Sequence, residues 1–307
     1  MSAGALALVA SAVRHDRKAA AGAALLAIFL AVAVAGPSLV CDPDALVGIP
    51  LQPPSAAHLL GTTGQGQDVL AQTVVGTRVS LALGFAVGVA AVALVALIGV
   101  VAGWAGGAVD AALSLLFNVF LVIPALPLAI VLAAYLSGGP LTIALVLVVT
   151  GWAWNARVVR AQTLALRRRD FVAAAVVSGE SRLRIVAREI LPNMTSLLVA
   201  QVIATTVYAI GAQVGLEFLG VGDVSVVSWG TNLYWASNDS ALLTGAWWTF
   251  VPTGACVALV GFALTMVSAG FDEITNPRLR LERAWRARLA RAGRRPTRST
   301  PVVVDRG

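Results

Sequence analysis

Between Val79 and Gly103 lie 25 residues without one charged side chain. Wound as a helix at 1.5 Å per residue, that stretch is roughly 37 Å long, enough to cross a ~30 Å hydrocarbon layer with some tilt. A chain that holds such a run has to be read against lipid. Composition agrees: 58% of the 307 residues are hydrophobic and 12% are charged, where a soluble domain carries about 25% charged residues. The formal net charge of +7 raises nucleic acid as a partner. That reading fails, because the basic residues stand in blocks between apolar stretches and no soluble unit presents them.

The other apolar stretches fall into the same scheme. Ala19 to Val40 follows a basic start and ends at Gly36-Pro37. A cleaved signal peptide has a similar layout, but an uncleaved first span fits the remaining topology better. Residues 41–77 are rich in Pro and Gly and read as loop with a short helix near 66–77. Ala111 to Leu136 is the third span, with Pro124 and Pro127 inside it as a kink or break. Leu141 to Ala156 is the fourth, extended through Arg157 and Arg160, whose long side chains reach the interface. Asn193 to Leu219 is the fifth. Trp247 to Phe271, opening on an interfacial Trp-Trp pair, is the sixth. The fold class is therefore an all-α membrane protein of six transmembrane helices.

Arginine placement orients it. Of 22 Lys and Arg residues, three lie in 1–18, eight in 157–188 and ten in 278–306, leaving Arg78 alone. With six crossings the three basic blocks share one side, which the positive-inside rule makes the cytoplasm. The layout is then a cytoplasmic N-terminus (1–18), a first transmembrane helix with its extracytoplasmic loop (19–75), a five-helix core holding a cytoplasmic loop at 157–192 (76–275), and a basic cytoplasmic tail (276–307). In the tail, Leu281, Trp285 and Leu289 recur at helical spacing among arginines, which suits either an amphipathic helix on anionic lipid or a basic segment that only enforces topology.

Little in the chain points to chemistry of its own. Lys18 is the sole lysine and sits in no glycine-rich loop, so a phosphate-binding loop is excluded. His15 and His58 fall on opposite sides of the membrane, and no His or Cys spacing suits a metal. Cys41 and Cys256 read as free thiols. No span offers the base that an intramembrane nucleophile needs. Nor does any carry the mid-membrane acids of an ion-coupled transporter. The one clear acid in a span is Glu217, near the outer end of the fifth; it reads as an interfacial carboxylate facing water or, with Gln213, as part of a pathway lining. The patterns Gly84-x-x-x-Gly88, Gly99-x-x-x-Gly103 and Gly211-x-x-x-Gly215 read as close helix packing.

The polar stretch 170–192 is the exception in this apolar chain. Asp170 can cap a short helix bearing Phe171, Ala174 and Ala175. Gly179 permits the left-handed turn that ends it. Ser181 can cap a second short helix running to Ile190, and Pro192 suits the first turn of the fifth span. The product is a helix–turn–helix elbow on the cytoplasmic face. A plain solvated loop is the other reading.

Ala174-Ala175, three residues, Gly179, then Leu191-Pro192 resembles the coupling loop of ABC importer permeases. Ala173 stands where many members of that family carry Glu. Further along the chain, His58-Leu-Leu-Gly-Thr-Thr-Gly-Gln-Gly-Gln-Asp68-Val, Gly76-Thr-Arg-Val-Ser-Leu81, Phe218-Leu-Gly-Val-Gly222, Ser228-Trp-Gly230 and Asn276-Pro-Arg-Leu-Arg280 resemble, in order, the second permease subunit of oligopeptide, dipeptide and nickel importers. Thr63 and Gln67 replace that branch's usual Asp and Arg. Gln213 stands where relatives often have Glu, and Glu217 where they often have Ser. The resemblance implies the type I importer architecture, with Phe171, Ala174, Ala175, Gly179, Glu180, Leu191 and Pro192 at the ATPase contact. It also implies a second permease subunit, ATP-binding subunits that hold ATP and Mg, and an extracytoplasmic solute-binding protein. The cargo would be a peptide, with nickel or glutathione as alternatives. An ATP-independent transporter or scaffold is the reading that remains if the elbow has no partner.

Overall fold

The computed structural model describes residues 16–136 and 138–275. The expectations for the basic tail from residue 276 onward, and for most of the N-terminal segment, lie outside the described residues. Helix α1 (Arg17–Ala35) begins at Asp16, whose carboxylate accepts the Lys18 N–H at 2.8 Å. Helix α2 (Val69–Ala105) begins at Asp68, whose side chain accepts the Ala71 N–H at 3.0 Å. Helices α3 (Gly107–Val122) and α4 (Ala125–Leu136) meet at a bend of 86°. Helices α5 (Pro140–Gly151) and α6 (Ala153–Arg167) meet at 48°. Then come α7 (Asp170–Val177), α8 (Arg182–Ile185), a π-helical turn (Val186–Ile190) and α9 (Leu191–Phe218). Outside the spans lie α10 (Trp229–Asn238) and α11 (Ala241–Thr244), before α12 (Val251–Thr275). Among the described residues four helical stretches are long and apolar enough to cross a bilayer, and the count reaches six where each bent pair is taken as one span.

Several boundaries differ from the sequence reading, each for a physical reason. The second span does not begin at Val79. Its helix runs 37 residues from Val69, so the short helix expected near 66–77 is its outer end and the division at 75/76 falls inside it. Arg78 is exposed on that outer end, so its charge does not interrupt the helix. The third span is broken rather than kinked, because Pro124 and Pro127 both lack the N–H that an unbroken helix would use. Arg157 and Arg160, expected at the interface, have partners on α3. Arg160 forms a two-pronged pair with Asp110 of α3, Nη2 to Oδ2 at 2.6 Å, and Arg157 donates to Asn118.

Helix α2 is the post of the bundle, packing on α9, α6, α5 and α1. Its glycines make that possible. A Cβ on Gly84 or Gly88 would collide with Ile210 or Thr206 of α9, and one on Gly99 or Gly103 with Val159 or Thr163 of α6. Where lipid gives no hydrophobic drive, such close approach supplies the packing. Gly211 and Gly215, expected to do the same, meet nothing within 4 Å and leave one face of α9 open.

The segments 39–68 and 219–250 form a small polar layer over one end of the helices. Thr62 Oγ1 donates to the Ile49 carbonyl at 2.6 Å and accepts the Gln52 N–H at 2.8 Å. The indole N–H of Trp248 donates to the Thr62 carbonyl at 3.2 Å, and His58 Nδ1 lies 3.1 Å from Asp68 Oδ2. Asp239, at the end of α10, accepts the Gly64 N–H, but its Oδ2 is enclosed without a partner among the described residues. Burial pushes this carboxyl above its ordinary range, against the lowering effect of the Gly64 N–H. A raised folded-state value means the folded layer holds the proton better than the unfolded chain. The stability this contributes is present below the unfolded carboxylate range and is lost as pH rises through the raised value. Asp239→Asn should therefore melt at a higher temperature than the parent at pH 7, with the gap closing as pH is lowered to 4. A gap that stays constant with pH would show that the carboxyl does not titrate in this window.

Candidate functional site

Arg169 stands at the start of α7 without a side-chain cap, and Asp170 is the first residue inside the helix rather than its cap. There its charge faces the positive end of the helix. The end of α7 is a paired closure: the Glu180 N–H donates to the Ala175 carbonyl and the Gly179 N–H to the Val176 carbonyl, both at 3.1 Å. This six-to-one and five-to-two pairing needs a left-handed residue between the arms, and Gly179 supplies it at φ +76°. Ser181 then caps α8 by accepting the Arg184 N–H at 3.4 Å.

The second arm does not stop at Pro192. It continues through the π-helical turn into α9, so that Arg182–Phe218 is one helix of 37 residues. The turn is marked by the Leu191 N–H bonding back five residues to the Val186 carbonyl. Pro192 has no N–H to offer, and a regular helix would press its ring on the carbonyl of Arg188; the widened turn relieves that contact. The Asn193 side chain donates to the Glu189 carbonyl in the same turn at 2.7 Å.

Inner residues of both arms are bolted to the membrane core. Val172, Ile185 and Ile190 are 2%, 1% and 0% exposed and pack with Phe117 of α3, Trp152 between α5 and α6, Val159 of α6 and Met194 of α9. Trp152 meets Phe117 and Phe120 edge-on, with ring centroids 5.6 and 5.3 Å apart. The elbow therefore touches the cluster that sits at the bends of the third and fourth spans.

Its outer face is different. Phe171, Ala174, Gly179 and Pro192 are exposed, while Ala175, Glu180 and Leu191 are half-buried. The structure adds three residues the sequence reading passed over. Val177 is 89% exposed, Leu183 81% and Val176 56%. Apolar side chains standing in water between arginines were the signal for them. One oxygen of Glu180, Oε2, is enclosed and has no hydrogen-bond partner among the described residues.

Gln213 and Glu217 are not where a water-facing lining would be. Gln213 is fully buried and Glu217 is 4% exposed. Gln213 Nε2 donates to the Glu217 carboxylate at 3.1 and 3.3 Å, and the Ser228 hydroxyl donates to Glu217 Oε2. The Gly230 N–H adds a further donor, and a Cβ there would collide with the Glu217 side chain. Glu217 thus ties the outer end of α9 to the start of α10, corrected from the interfacial carboxylate expected of it. A cavity of about 420 Å³ lies elsewhere, at the bends, bounded by residues that include Phe120, Ile123, Asn155, Thr205 and Tyr208. A second, of about 370 Å³, runs beside it along Gly211 and Gly215.

Residues 95–281 match the family described as binding-protein-dependent transport system inner membrane component. The chain is 32% identical to a dipeptide transport system permease protein of Bacillus subtilis over 87% of its own length and 84% of the relative's. It is also 32% identical to an oligopeptide transport system permease protein of Mycobacterium tuberculosis, over 86% of this chain and 91% of that one. A putative peptide transport system permease protein of Brucella abortus matches at 32% over 90% and 93%. The match spans the bent helices, the elbow and the last two spans, and it places the chain in the family of binding-protein-dependent transport system inner membrane components.

Proposed function

We propose that this permease is one membrane subunit of an ATP-driven peptide importer and that the elbow at 170–192 is where it meets a separate ATPase. The observation that carries this reading is the elbow's two-sidedness. Val172, Ile185 and Ile190 are fixed in the core of the bundle, while Val176, Val177 and Leu183 stand exposed on the side away from it. An exposed apolar cluster of this kind marks a protein contact. ATP and Mg belong to the partner, since the chain's only lysine, Lys18, lies in no phosphate-binding loop. The open face of α9 at Gly211 and Gly215 suits a second permease subunit, because small residues let helices approach closely. The polar outer layer suits a solute-binding protein, and the arginine blocks favour cytoplasmic termini. Relatives named for dipeptides and oligopeptides favour peptide cargo over nickel or glutathione.

The test is purification of the tagged chain from its native membrane. An ATPase and a second multi-span permease should accompany it. Val177→Asp with Leu183→Asp should lose the ATPase and keep the second permease. If the ATPase stays bound to the doubly charged elbow, the docking surface lies elsewhere.

A further inference from the structure

The two broken spans open onto one place. The bend between α3 and α4 falls at Ile123-Pro124 and the bend between α5 and α6 at Trp152. The cavity of about 420 Å³ lies between these bends and α9. Irregular backbone at membrane depth is tolerated where it lines such a space, and here the sequence leaves specific groups unmatched. At the end of α3, Pro124 has no N–H to offer the Phe120 carbonyl. Phe120 and Ile123 both line the cavity.

The side chains continue the pattern. Asn155 spends one N–H on Thr205 Oγ1 at 3.1 Å, which leaves its carbonyl and a second N–H. The Tyr208 hydroxyl has no hydrogen-bond partner among the described residues, and its ring is 37% exposed over Gly151. No carboxylate, ammonium, guanidinium or imidazole lines the space. A few uncharged polar side chains, Asn155, Thr205 and Tyr208 among them, therefore stand among aromatic and aliphatic walls, with no charged group among the described lining residues.

We propose that this cavity is a cargo-binding station that takes the main chain of a peptide, pairing its N–H and C=O groups with Asn155, Thr205 and Tyr208. The inference rests on the peptide-importer reading and adds to it that this half of the pathway does not select side-chain charge. Any such selection is made before cargo enters the membrane. A chain that must pass peptides of either sign gains nothing from a fixed charge here, since a like charge at close range in low dielectric repels strongly.

The experiment uses the whole transporter in proteoliposomes with its binding protein, and compares uptake of trialanine, Ala-Lys-Ala and Ala-Glu-Ala. Tyr208→Phe should slow all three by a common factor of about fivefold, as expected for one lost hydrogen bond. Asn155→Asp should shift the ratio of Ala-Lys-Ala to Ala-Glu-Ala uptake by at least about tenfold relative to the parent. Ala204→Cys, on the exposed cavity wall of α9 and in a Cys41→Ser, Cys256→Ser background, extends the test to complexes already assembled. A cationic methanethiosulfonate reagent there should favour the acidic peptide and an anionic one the basic peptide. If neither Asn155→Asp nor the modified cysteine moves the ratio, the cavity holds only water or lipid and the proposal is overturned. A parent complex that assembles but imports none of the three peptides overturns the peptide reading itself.

Discussion

Gly179→Val is expected to bring ATP-driven uptake in the reconstituted transporter to background while the chain still folds and inserts. A side chain at this position meets nothing within 4 Å, so the cost is in the backbone. At φ +76° an L-residue pays about 1–2 kcal/mol, and a β-branched one more. The nearest relief is to open the joint, which gives up the bonds from Glu180 to Ala175 and from Gly179 to Val176. Val177 and Leu183 then no longer hold one relative placement. Without it, closure of an ATPase on the elbow has no fixed surface to push. Gly179→Asn, which tolerates the left-handed region, should keep most of the uptake, with Gly179→Ala between the two. Uptake and ATP hydrolysis measured together decide this. Parent-level uptake by the valine variant would mean that the angle between α7 and α8 has no part in coupling.

The largest loss of stability is expected from Glu217→Ala. The substitution strands the buried Gln213 amide and the Gly230 N–H without their acceptor, while the Ser228 hydroxyl keeps Thr231 Oγ1 at 3.1 Å. Leaving buried polar groups unmatched costs about 1–3 kcal/mol each, so a total loss of roughly 2–5 kcal/mol is expected for the attachment of α10. Glu217→Gln keeps an acceptor in place and should lose much less. Thermal unfolding in detergent measures the first effect. Limited proteolysis between residues 220 and 228 measures the second, since a freed α10 exposes that connection. Equal melting temperatures for the alanine variant and the parent would show that the outer layer holds α10 without this carboxylate.

What could be read from the letters follows what lipid demands of composition. The six apolar stretches were legible because a spanning helix has to be apolar over its whole length, whatever it packs against. Gly179 was legible because its local geometry carries its own constraint. The continuity of α2 was not, since residues 66–77 read as a separate short helix ahead of Arg78, and only the structure shows one helix running from Val69 through it. Pro124 announced a disturbance, but the 86° bend depends on neighbours that no local pattern records. Gly84-x-x-x-Gly88 and Gly211-x-x-x-Gly215 are alike as text, yet one is filled by a neighbouring helix and the other is open. Glu217 was singled out as an acid. Its partner Ser228 is eleven residues away across a turn, so the burial of the pair could not be foreseen. Asn155 and Tyr208 drew no notice, because nothing but the bends of two helices brings them to one wall.

The π-helical turn at Val186–Ile190 has a consequence for how the elbow is aimed. Shifting one bond from four residues back to five inserts a residue into the helical count. Each residue of an α-helix advances by about 100°. Ile185 and the arm before it are therefore turned by about that angle from where an unbroken helix would point them. The elbow is in this sense set by phase: its azimuth about the fifth span depends on how many residues separate Ile185 from Met194, and much less on what the exposed ones are. Exchanging Ala187 or Arg188, both on the open side, leaves the aim intact. Removing either would restore the regular winding and swing Ile185 out of the core, carrying Leu183 and Val177 round to face a different direction.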